Sequence, residues 1–270
     1  MRFCVNVSIL FKEVPFLERF GRTREAGFSA VEFWWPGGED LDEVERAIKE
    51  AELSVALFNF YAGDMSAGDR GLVSDPERQD KFRDNVPVAL ELAGRLGCER
   101  LNVLVGHEGQ GMSREERLNL ARENVAWAAE RAAQHGVGVV VEAVNTFENG
   151  PYLLYTTKDA VGFVESVGSE NVEIQHDFYH MQRMEGNLVA NLREHIGLIG
   201  HVQVADSPDR GEPGTGEIHY PFVLGELERL GYDGYVGLEY NPTTAATEDS
   251  LGWLPEPVRA GGGSVAALAL

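Results

Sequence analysis

The chain alternates short apolar runs with amphipathic helical patterns along most of its length. Eight of these runs have the length and apolar content of buried strands, and the helical patterns lie between them. The predicted strands cover residues 3–9, 30–35, 54–60, 100–106, 138–144, 172–178, 199–205 and 235–240. Strands that alternate with helices form a parallel sheet, and eight such strands close a barrel within about 250 residues. We therefore predict an α/β fold, a (β/α)8 TIM barrel in a single domain.

The alternative arrangement of such elements is an open doubly wound sheet. A sheet of that kind normally carries a glycine-rich phosphate or dinucleotide loop after its first strand. Here the first strand leads into Ser8-Ile9-Leu10-Phe11-Lys12, which contains no glycine. The closed barrel is therefore the favoured fold.

Capping residues indicate where some of the helices begin and end. Asp75 followed by Pro76 predicts a helix that starts at the proline, and Ser113 with Glu116 has the spacing of a capping box. Three glycines follow predicted helix ends, where a left-handed residue is needed: Gly27, Gly97 and Gly136.

The last residues differ from the rest of the chain. Gly261-Gly262-Gly263-Ser264 is followed by a short apolar end, and glycine and serine runs are typical of flexible linkers. At 270 residues and 43% hydrophobic content, the chain suits one large domain. We therefore predict a barrel over residues 1–257 and a flexible C-terminal tail over residues 258–270.

The charge balance disfavours polyanionic partners. Lys plus Arg total 23 against 44 Asp plus Glu, a formal net charge of −21. Tight contact with phosphate backbones or anionic lipid requires the opposite sign, so we expect neither nucleic acid nor membrane as a partner. The start of the chain has no targeting pattern, and no run approaches the roughly 20 apolar residues of a membrane span. Cys4 and Cys98 are too few for a disulfide framework, which fits a cytoplasmic protein.

Four strands in the second half each carry one oxygen donor near the carboxyl end. These donors are Glu142, Asp177, Gln203 and Glu239 on the fifth to eighth predicted strands. The carboxyl ends of barrel strands form the active-site face, so the four side chains are expected to meet there. Buried carboxylates that converge need a neutralising cation, because removal of a carboxylate from water costs several kcal/mol. Ligation by oxygen alone indicates Mg²⁺ or Mn²⁺ rather than zinc. Any one of these residues by itself has the alternative of a hydrogen-bonded polar group in the core.

Several stretches of the chain resemble hydroxypyruvate isomerases, a family of the xylose isomerase-like barrels. The resemblance covers nearly the whole chain from Arg2 to about Pro255 and excludes the tail. The stretches that carry it are residues 27–33, 62–71, 102–106, 177–186, 200–206 and 210–218.

The resemblance implies interconversion of hydroxypyruvate and tartronate semialdehyde with a divalent metal ion. Movement of a proton between adjacent carbons of a hydroxy carbonyl needs a base, an acid and a group that stabilises the enediolate. Glu142 and Glu239 would be the acid/base pair and also metal ligands, and Asp177 and Gln203 would be ligands only. The substrate would be a small oxo acid or sugar acid, and relatives commonly form homo-oligomers.

Related ketose epimerases resemble this chain in three further positions, which implies substrate-binding roles for Glu148, His180 and Arg210. The epimerases have histidine where this chain has Gln203, which is a departure that fits the isomerase pattern. Each position also has a structural alternative. Arg210 would pair with Glu212, His180 would cap a helix, and Glu148 would be a surface charge.

Other functions remain open from sequence. A 2-oxo-tetronate isomerase or a ketose 3-epimerase would use the same metal and the same two glutamates, with different loops at the far end of the substrate. A connection over residues 61–75 is a candidate lid that would decide between them. A DNA-repair nuclease of the same superfamily would require a basic face and a histidine-rich cluster of metals, which the net charge of −21 disfavours. A sugar-acid binding protein without turnover would have no need of both Glu142 and Glu239.

Overall fold

The computed structural model describes residues 1–270, and its centre is a closed barrel of parallel strands in chain order. The strands are β1 (Arg2–Asn6), β2 (Ala30–Phe33), β3 (Ser54–Asn59), β4 (Arg100–Val103), β5 (Gly138–Glu142), β6 (Val172–Asp177), β7 (Ile199–Val204) and β8 (Tyr235–Leu238). Pairing of β1 with β8, with Arg2 opposite Tyr235, closes the barrel. The predicted fold, strand number and strand order are thereby confirmed.

Helices surround this barrel and follow the strands in turn. They are α1 (Glu18–Glu25), α2 (Leu41–Glu50), α3 (Gln79–Leu96), α4 (Arg114–Gln134), α5 (Thr146–Asn149), α6 (Thr157–Val167), α7 (Phe178–Met184), α8 (Leu188–His195), α9 (Tyr220–Arg229) and α10 (Glu256–Gly261). Short 3-10 turns add Met65–Ala67, Ile196–Leu198, Thr247–Trp253 and Val265–Ala267. None of these helices combines the length and the apolar composition that a bilayer crossing requires.

The capping predictions have mixed outcomes. Ser113 and Glu116 form the predicted capping box of α4, and the three glycines after helix ends all have positive φ. The predicted start at Pro76 is wrong, because α3 begins at Gln79. The Asp75 carboxylate accepts hydrogen bonds from the Glu77 amide at 3.0 Å and from the Arg78 side chain at 2.8 Å. These contacts stabilise a turn ahead of the helix, so the aspartate caps that turn.

The apolar core lies between the barrel and the helix layer. The inward faces of α3 and α4 are buried there, including Phe82 and Val86 on one helix and Ala121 and Val125 on the other. Full burial of a large apolar side chain stabilises the fold by about 1.5–3 kcal/mol. Cys4 and Cys98 are buried free thiols, as the sequence predicts.

The barrel interior below its carboxyl end is polar. Its buried polar side chains come from five strands: Asn6, Glu32, Asn102, Gln175, His201 and Gln203. Most barrels fill this space with branched aliphatic side chains. Here hydrogen bonds between strands replace that packing, as between Gln175 and Gln203 at 2.6 Å. The floor of the site is therefore a hydrogen-bonded layer.

The residues after the predicted domain boundary pack against the barrel, first beside the start of β1. Helix α10 spans residue 257 and contacts β1, with Val258 buried. The amide of Gly263 donates to the Met1 carbonyl at 3.3 Å, and the amide of Ala269 donates to the Trp253 carbonyl at 2.9 Å. Flexibility of residues 258–270 in solution stays a prediction.

We predict that Gly237→Ala destabilises the barrel. A Cβ at this position of β8 would lie 2.5 Å from Oε1 of Glu32, a fully buried side chain that several hydrogen bonds hold in place. Overpacking of this kind costs about 1–3 kcal/mol. Thermal unfolding of the variant, followed by circular dichroism, should show a lower Tm.

Gly225→Ala is the matched control for that substitution. Gly225 lies inside α9, and no atom lies within 4 Å of the position that a Cβ would take there. Alanine in a helix interior is favoured over glycine by about 1 kcal/mol. The Tm of this variant should stay level or rise. Equal Tm values for the two variants would contradict close contact between Gly237 and Glu32.

Candidate active site

Three of the predicted ligands meet at the carboxyl end of the barrel. Glu142 is the last residue of β5, Asp177 is the last residue of β6, and Glu239 directly follows β8. Together with His180 from the first turn of α7, they bring one ligand atom each to within 4.8 Å of one another. All four residues are buried. The closed barrel thus brings together residues that lie far apart in the chain.

The electrostatic environment of these carboxylates is unfavourable to their charge. Burial, and then repulsion from Glu239 and Asp177, raises the pKa of Glu142 well above its usual value. Burial also raises the pKa of Asp177 to about 7 and raises that of Glu239, although Arg210 opposes both shifts. The guanidinium of Arg210 is a single positive charge beside three acidic groups, so a further positive charge at this site would be stabilised.

One oxygen of Asp177 has no hydrogen-bond partner. Its Oδ1 caps α7 by accepting from the backbone amides of Tyr179 at 2.7 Å and His180 at 3.3 Å. Its Oδ2 is buried without a partner and lies 3.6 Å from Nε2 of His180. A buried unsatisfied carboxylate oxygen is costly. The unpaired oxygen and the excess of negative charge both fit a divalent cation.

His180 is held in one tautomer by Asn145. Oδ1 of Asn145 accepts from the Glu148 amide at 3.0 Å, so its Nδ2 faces the histidine and donates to Nδ1 at 2.8 Å. Burial lowers the pKa of His180 well below its usual value, and Arg210 and Arg70 add to that shift. The neutral ring therefore carries its proton on Nε2, which faces Glu142 and Asp177. This arrangement makes His180 a hydrogen-bond donor to the cavity.

Gln203 lies on β7, in register with Asp177 on β6 and Gly237 on β8. Its Nε2 donates to Oε1 of Glu32 at 2.6 Å, and its Oε1 accepts from Gln175 at 2.6 Å. An amide oxygen has two lone pairs, so one stays available for a cation. Its role as a ligand stays a prediction.

Arg210 reaches the acidic group from the loop after β7. Its guanidinium donates to Oε2 of Glu239 at 2.5 Å and lies 3.9 Å from Glu148. Its backbone is in the left-handed region, with φ of 59°, and its carbonyl accepts from the Asn241 amide at 2.7 Å. The alternative pairing with Glu212 is not found, because the Glu212 carboxylate accepts from Thr243. Strained backbone of this kind is common where a side chain is held at a functional site.

Glu148 is partly exposed at the rim of the same site. It accepts a hydrogen bond from the Tyr179 hydroxyl at 2.5 Å and another from Asn145 at 3.1 Å. Its side chain is 41% exposed, so it is neither a free surface charge nor a buried ligand. It lies 3.9 Å from Arg210 and shares the Asn145 side chain with His180.

A cavity of about 60 Å³ lies above the carboxylates. Its walls include Glu142, Glu239, His180, Arg210, Trp34, Asn59, Met65, Arg70, Leu104, Val144 and Asn149. Arg70 comes from the connection over residues 61–75 that we identify as a candidate lid, and its Nε donates to Asn149 at 2.7 Å. Burial, and then the charge of Arg210, lowers the pKa of Arg70. Two guanidinium groups thus share one small cavity.

Sequence reasoning missed several polar residues that contact the predicted set or line its cavity. Asn6 donates to Glu239, Asn102 donates to Glu142, Asn145 orients His180, and Arg70 enters the cavity. Asn6 and Asn102 carry the same signal that identifies Glu142, a polar residue within an apolar strand. Arg70 is the one basic residue of the 61–75 connection. Asn145 lies in a loop and has no comparable signal.

Comparison with known proteins agrees with this fold. The family model described as the xylose isomerase-like TIM barrel matches residues 20–256. The hydroxypyruvate isomerase of Escherichia coli K12 is 40% identical over 259 residues, which cover 96% of this chain and 100% of that protein. The 2-oxo-tetronate isomerase of Cupriavidus necator is 39% identical and covers 94% of this chain and 97% of its own length.

A solved structure also matches the whole barrel. The Brucella melitensis protein described as an AP endonuclease of family 2 superposes with a TM-score of 0.89 at 42% identity, over 93% of this chain and 97% of its own. With the family model and full-length relatives in agreement, this chain belongs to the xylose isomerase-like TIM barrel family, in the group that includes the hydroxypyruvate isomerases.

Proposed function

We propose that the protein is an isomerase that interconverts hydroxypyruvate and tartronate semialdehyde. The observation that carries the proposal is a small cavity with two buried glutamates, Glu142 and Glu239, and two guanidinium groups, Arg70 and Arg210. The glutamates suit proton transfer between neighbouring carbons, and the guanidinium groups suit a carboxylate. An oxo acid of three carbons has both features.

The two glutamates differ in their hydrogen bonds. Glu239 accepts from Asn6 at 3.0 Å, Trp34 at 2.9 Å and Arg210 at 2.5 Å, so it is set up as a carboxylate. Glu142 accepts one hydrogen bond, from Asn102 at 3.1 Å. We therefore assign Glu239 as the base that removes a proton from C3 of hydroxypyruvate, and Glu142 as the acid that delivers a proton to C2. The hydroxyl proton moves from the C3 oxygen to the C2 oxygen, so that C3 becomes the aldehyde and C2 the carbinol. The roles exchange in the reverse direction.

The other cavity residues bind the substrate. Arg210 and Arg70 hold its carboxylate, and the Nε2 proton of His180 donates to an oxygen of the enediolate. Glu148 positions Arg210 at the rim, 3.9 Å away. The aromatic ring of Trp34 and the lid residue Met65 limit access of water.

We assign the metal site to Glu142, Asp177, Gln203 and Glu239, with Mg²⁺ or Mn²⁺ as the ion. The donor set supplies oxygen only, which these ions prefer. The unpaired Oδ2 of Asp177 is the observation that supports a cation. When bound, such an ion polarises a carbonyl and stabilises the developing negative charge.

A 2-oxo-tetronate isomerase is the second candidate. The supporting observation is a cleft of about 460 Å³ that shares Trp34 and Met65 with the cavity and is lined by Trp35, Phe60 and Tyr61. A fourth carbon would extend into this cleft. A ketose 3-epimerase would use the same space but would not need two guanidinium groups.

The remaining alternatives have less support. A nuclease requires a basic face, whereas the net charge is −21, and the acidic group contains one histidine. A binding protein without turnover would have no use for both glutamates. Buried free thiols support a cytoplasmic enzyme. We propose a homo-oligomer without nucleic acid or membrane partners.

We predict that Glu142→Gln and Glu239→Gln each remove most of the turnover, by about 10²–10⁴-fold, because a general acid or base is lost. Steady-state kinetics with hydroxypyruvate would measure the loss, and circular dichroism would show that both variants are folded. Glu165→Gln, on the exposed face of α6, is the control and should keep full activity. Substantial turnover in either site variant would contradict the two-glutamate assignment.

We predict that Arg210→Lys raises KM for an oxo acid by about 10-fold or more and raises KM for a neutral ketose much less. Lysine keeps the charge but lacks the two-pronged contact with a carboxylate. Arg193→Lys is the control, since Arg193 pairs with Glu226 between α8 and α9. Equal effects on both substrates would remove Arg210 from carboxylate recognition.

We predict that Mn²⁺ or Mg²⁺ raises the Tm of the protein, because the acidic site binds the ion in the folded state only. The stabilisation reaches about 2.7 kcal/mol at an ion concentration 100 times Kd. Differential scanning fluorimetry with and without chelator measures this shift. Asp177→Asn should abolish it, and an unchanged Tm of the wild-type protein at saturating metal would count against the site.

A further inference from the structure

Glu32 occupies the centre of the polar layer below the metal ligands. It lies on β2, has no exposed surface, and accepts hydrogen bonds from two other strands. Oε1 accepts from Gln203 at 2.6 Å and from Asn6 at 3.2 Å. Oε2 contacts His201 at 2.6 Å and accepts from Cys4 at 3.4 Å. A carboxylate with four such neighbours is held as an acceptor, with little freedom to rotate.

The barrel makes space for this side chain. Gly237 on β8 faces the Glu32 carboxylate, and any side chain there would overlap it. Glu32 therefore reaches across the barrel axis from β2 to β7. A carboxylate at this position contributes nothing to apolar packing, and Glu32 takes no part in the proton transfer proposed above.

Asn6 connects Glu32 to one of the proton-transfer residues. Its Nδ2 donates both to Glu32 and to Oε1 of Glu239, the latter at 3.0 Å. Its Oδ1 accepts from the Ser8 amide at 3.1 Å, which fixes the orientation of the amide group. Glu32 thus holds one side of the group that orients Glu239.

Gln203 connects Glu32 to a second ligand position. Because the carboxylate accepts only, the amide nitrogen of Gln203 must face it. A flipped amide would place its oxygen against the carboxylate. Glu32 thereby keeps the Gln203 oxygen on the opposite side, where it accepts from Gln175 and has a second lone pair for a cation.

We propose that Glu32 is the positioning residue of the metal site: through Gln203 and Asn6 it fixes the orientation of two of the four ligands. This inference rests on the proposed metal site. In this role Glu32 contacts neither the substrate nor the metal ion. Groups that orient metal ligands typically change metal affinity by about 10–100-fold when they are mutated.

The competing interpretation is a second metal site. Cys4, Glu32 and His201 bring one ligand atom each to within 4.8 Å of one another. Both oxygens of Glu32 are already engaged, however, and burial raises the pKa of the Cys4 thiol well above its usual value. A thiol that keeps its proton is a poor metal ligand. Orientation of ligands is therefore the role that the contacts favour.

Titration of the full-length protein with Mn²⁺ alone, with free Mn²⁺ measured by electron paramagnetic resonance, tests the proposal without any turnover. Wild-type protein should bind one ion per chain, and Glu32→Gln should bind it about 10–100-fold more weakly. Glu173→Gln is the matched control, because Glu173 pairs with Arg100 at the other end of the barrel and should leave affinity unchanged. No binding by wild-type protein would overturn the proposed metal site itself. Binding by Glu32→Gln within about twofold of wild type would overturn only the role of Glu32.

The exchanged pair Glu32→Gln with Gln203→Glu separates positioning from a general loss of structure. Gln203→Glu alone places two carboxylates in contact and should weaken Mn²⁺ binding, whereas the double variant restores one donor and one acceptor. The double variant should bind Mn²⁺ more tightly than either single variant, and it provides the test if Glu32→Gln does not fold. Additive effects would overturn the proposal. A second Zn²⁺ per chain that is lost in Cys4→Ala would establish the competing metal site instead.

Discussion

Uncompensated negative charge at the mouth of the barrel is the constraint on which the rest of the site depends. Glu142, Asp177 and Glu239 share a buried space with one close cation, the guanidinium of Arg210. Burial opposes ionisation of all three acids, which is why their pKa values are raised. The negative charge of these carboxylates is only partly balanced by Arg210. Buried groups with pKa values shifted in this way are common at catalytic sites and at sites that bind divalent ions. This cluster of three carboxylates therefore fits a functional role better than a stabilising one.

The polar layer in the barrel interior is hydrogen-bonded to the acidic residues at the carboxyl end. Aliphatic side chains in the barrel interior would offer no hydrogen bonds to the carboxylates, so several rotamers of each carboxylate would be accessible. Here hydrogen bonds run from Glu32 to Gln203 and through Asn6 to Glu239. Each bond contributes a modest net stability of about 0.5–1.5 kcal/mol, but a bond left unmade in this dry interior would cost more. Through Asn6, this layer restricts the orientation of the Glu239 carboxylate.

Loops complete the site from above and are held by close backbone contacts. Gly71, with φ of 112°, lies against the Leu104 carbonyl, where any side chain would overlap that backbone. This contact ties the 61–75 connection to the loop after β4 and brings Arg70 over the cavity. Arg210 is held by its own strained backbone and by Asn241. Both guanidinium groups are thereby held in place at the cavity, Arg70 by Asn149 and Arg210 by Glu239.

The sequence by itself determined the barrel and the acidic residues at the carboxyl ends of its strands, because both depend on local patterns. Strand and helix periods predict the eightfold alternation, and a carboxylate at the end of an apolar run is visible one strand at a time. Only tertiary structure decided how the polar groups pair. Glu32 meets Gln203 across 171 positions, and Asn6 meets Glu239 across 233. Asp75 has the local pattern of a helix cap, but its carboxylate binds Glu77 and Arg78 in a preceding turn. Such pairings follow from closure of the barrel, since hydrogen bonds depend on distances that no local pattern contains.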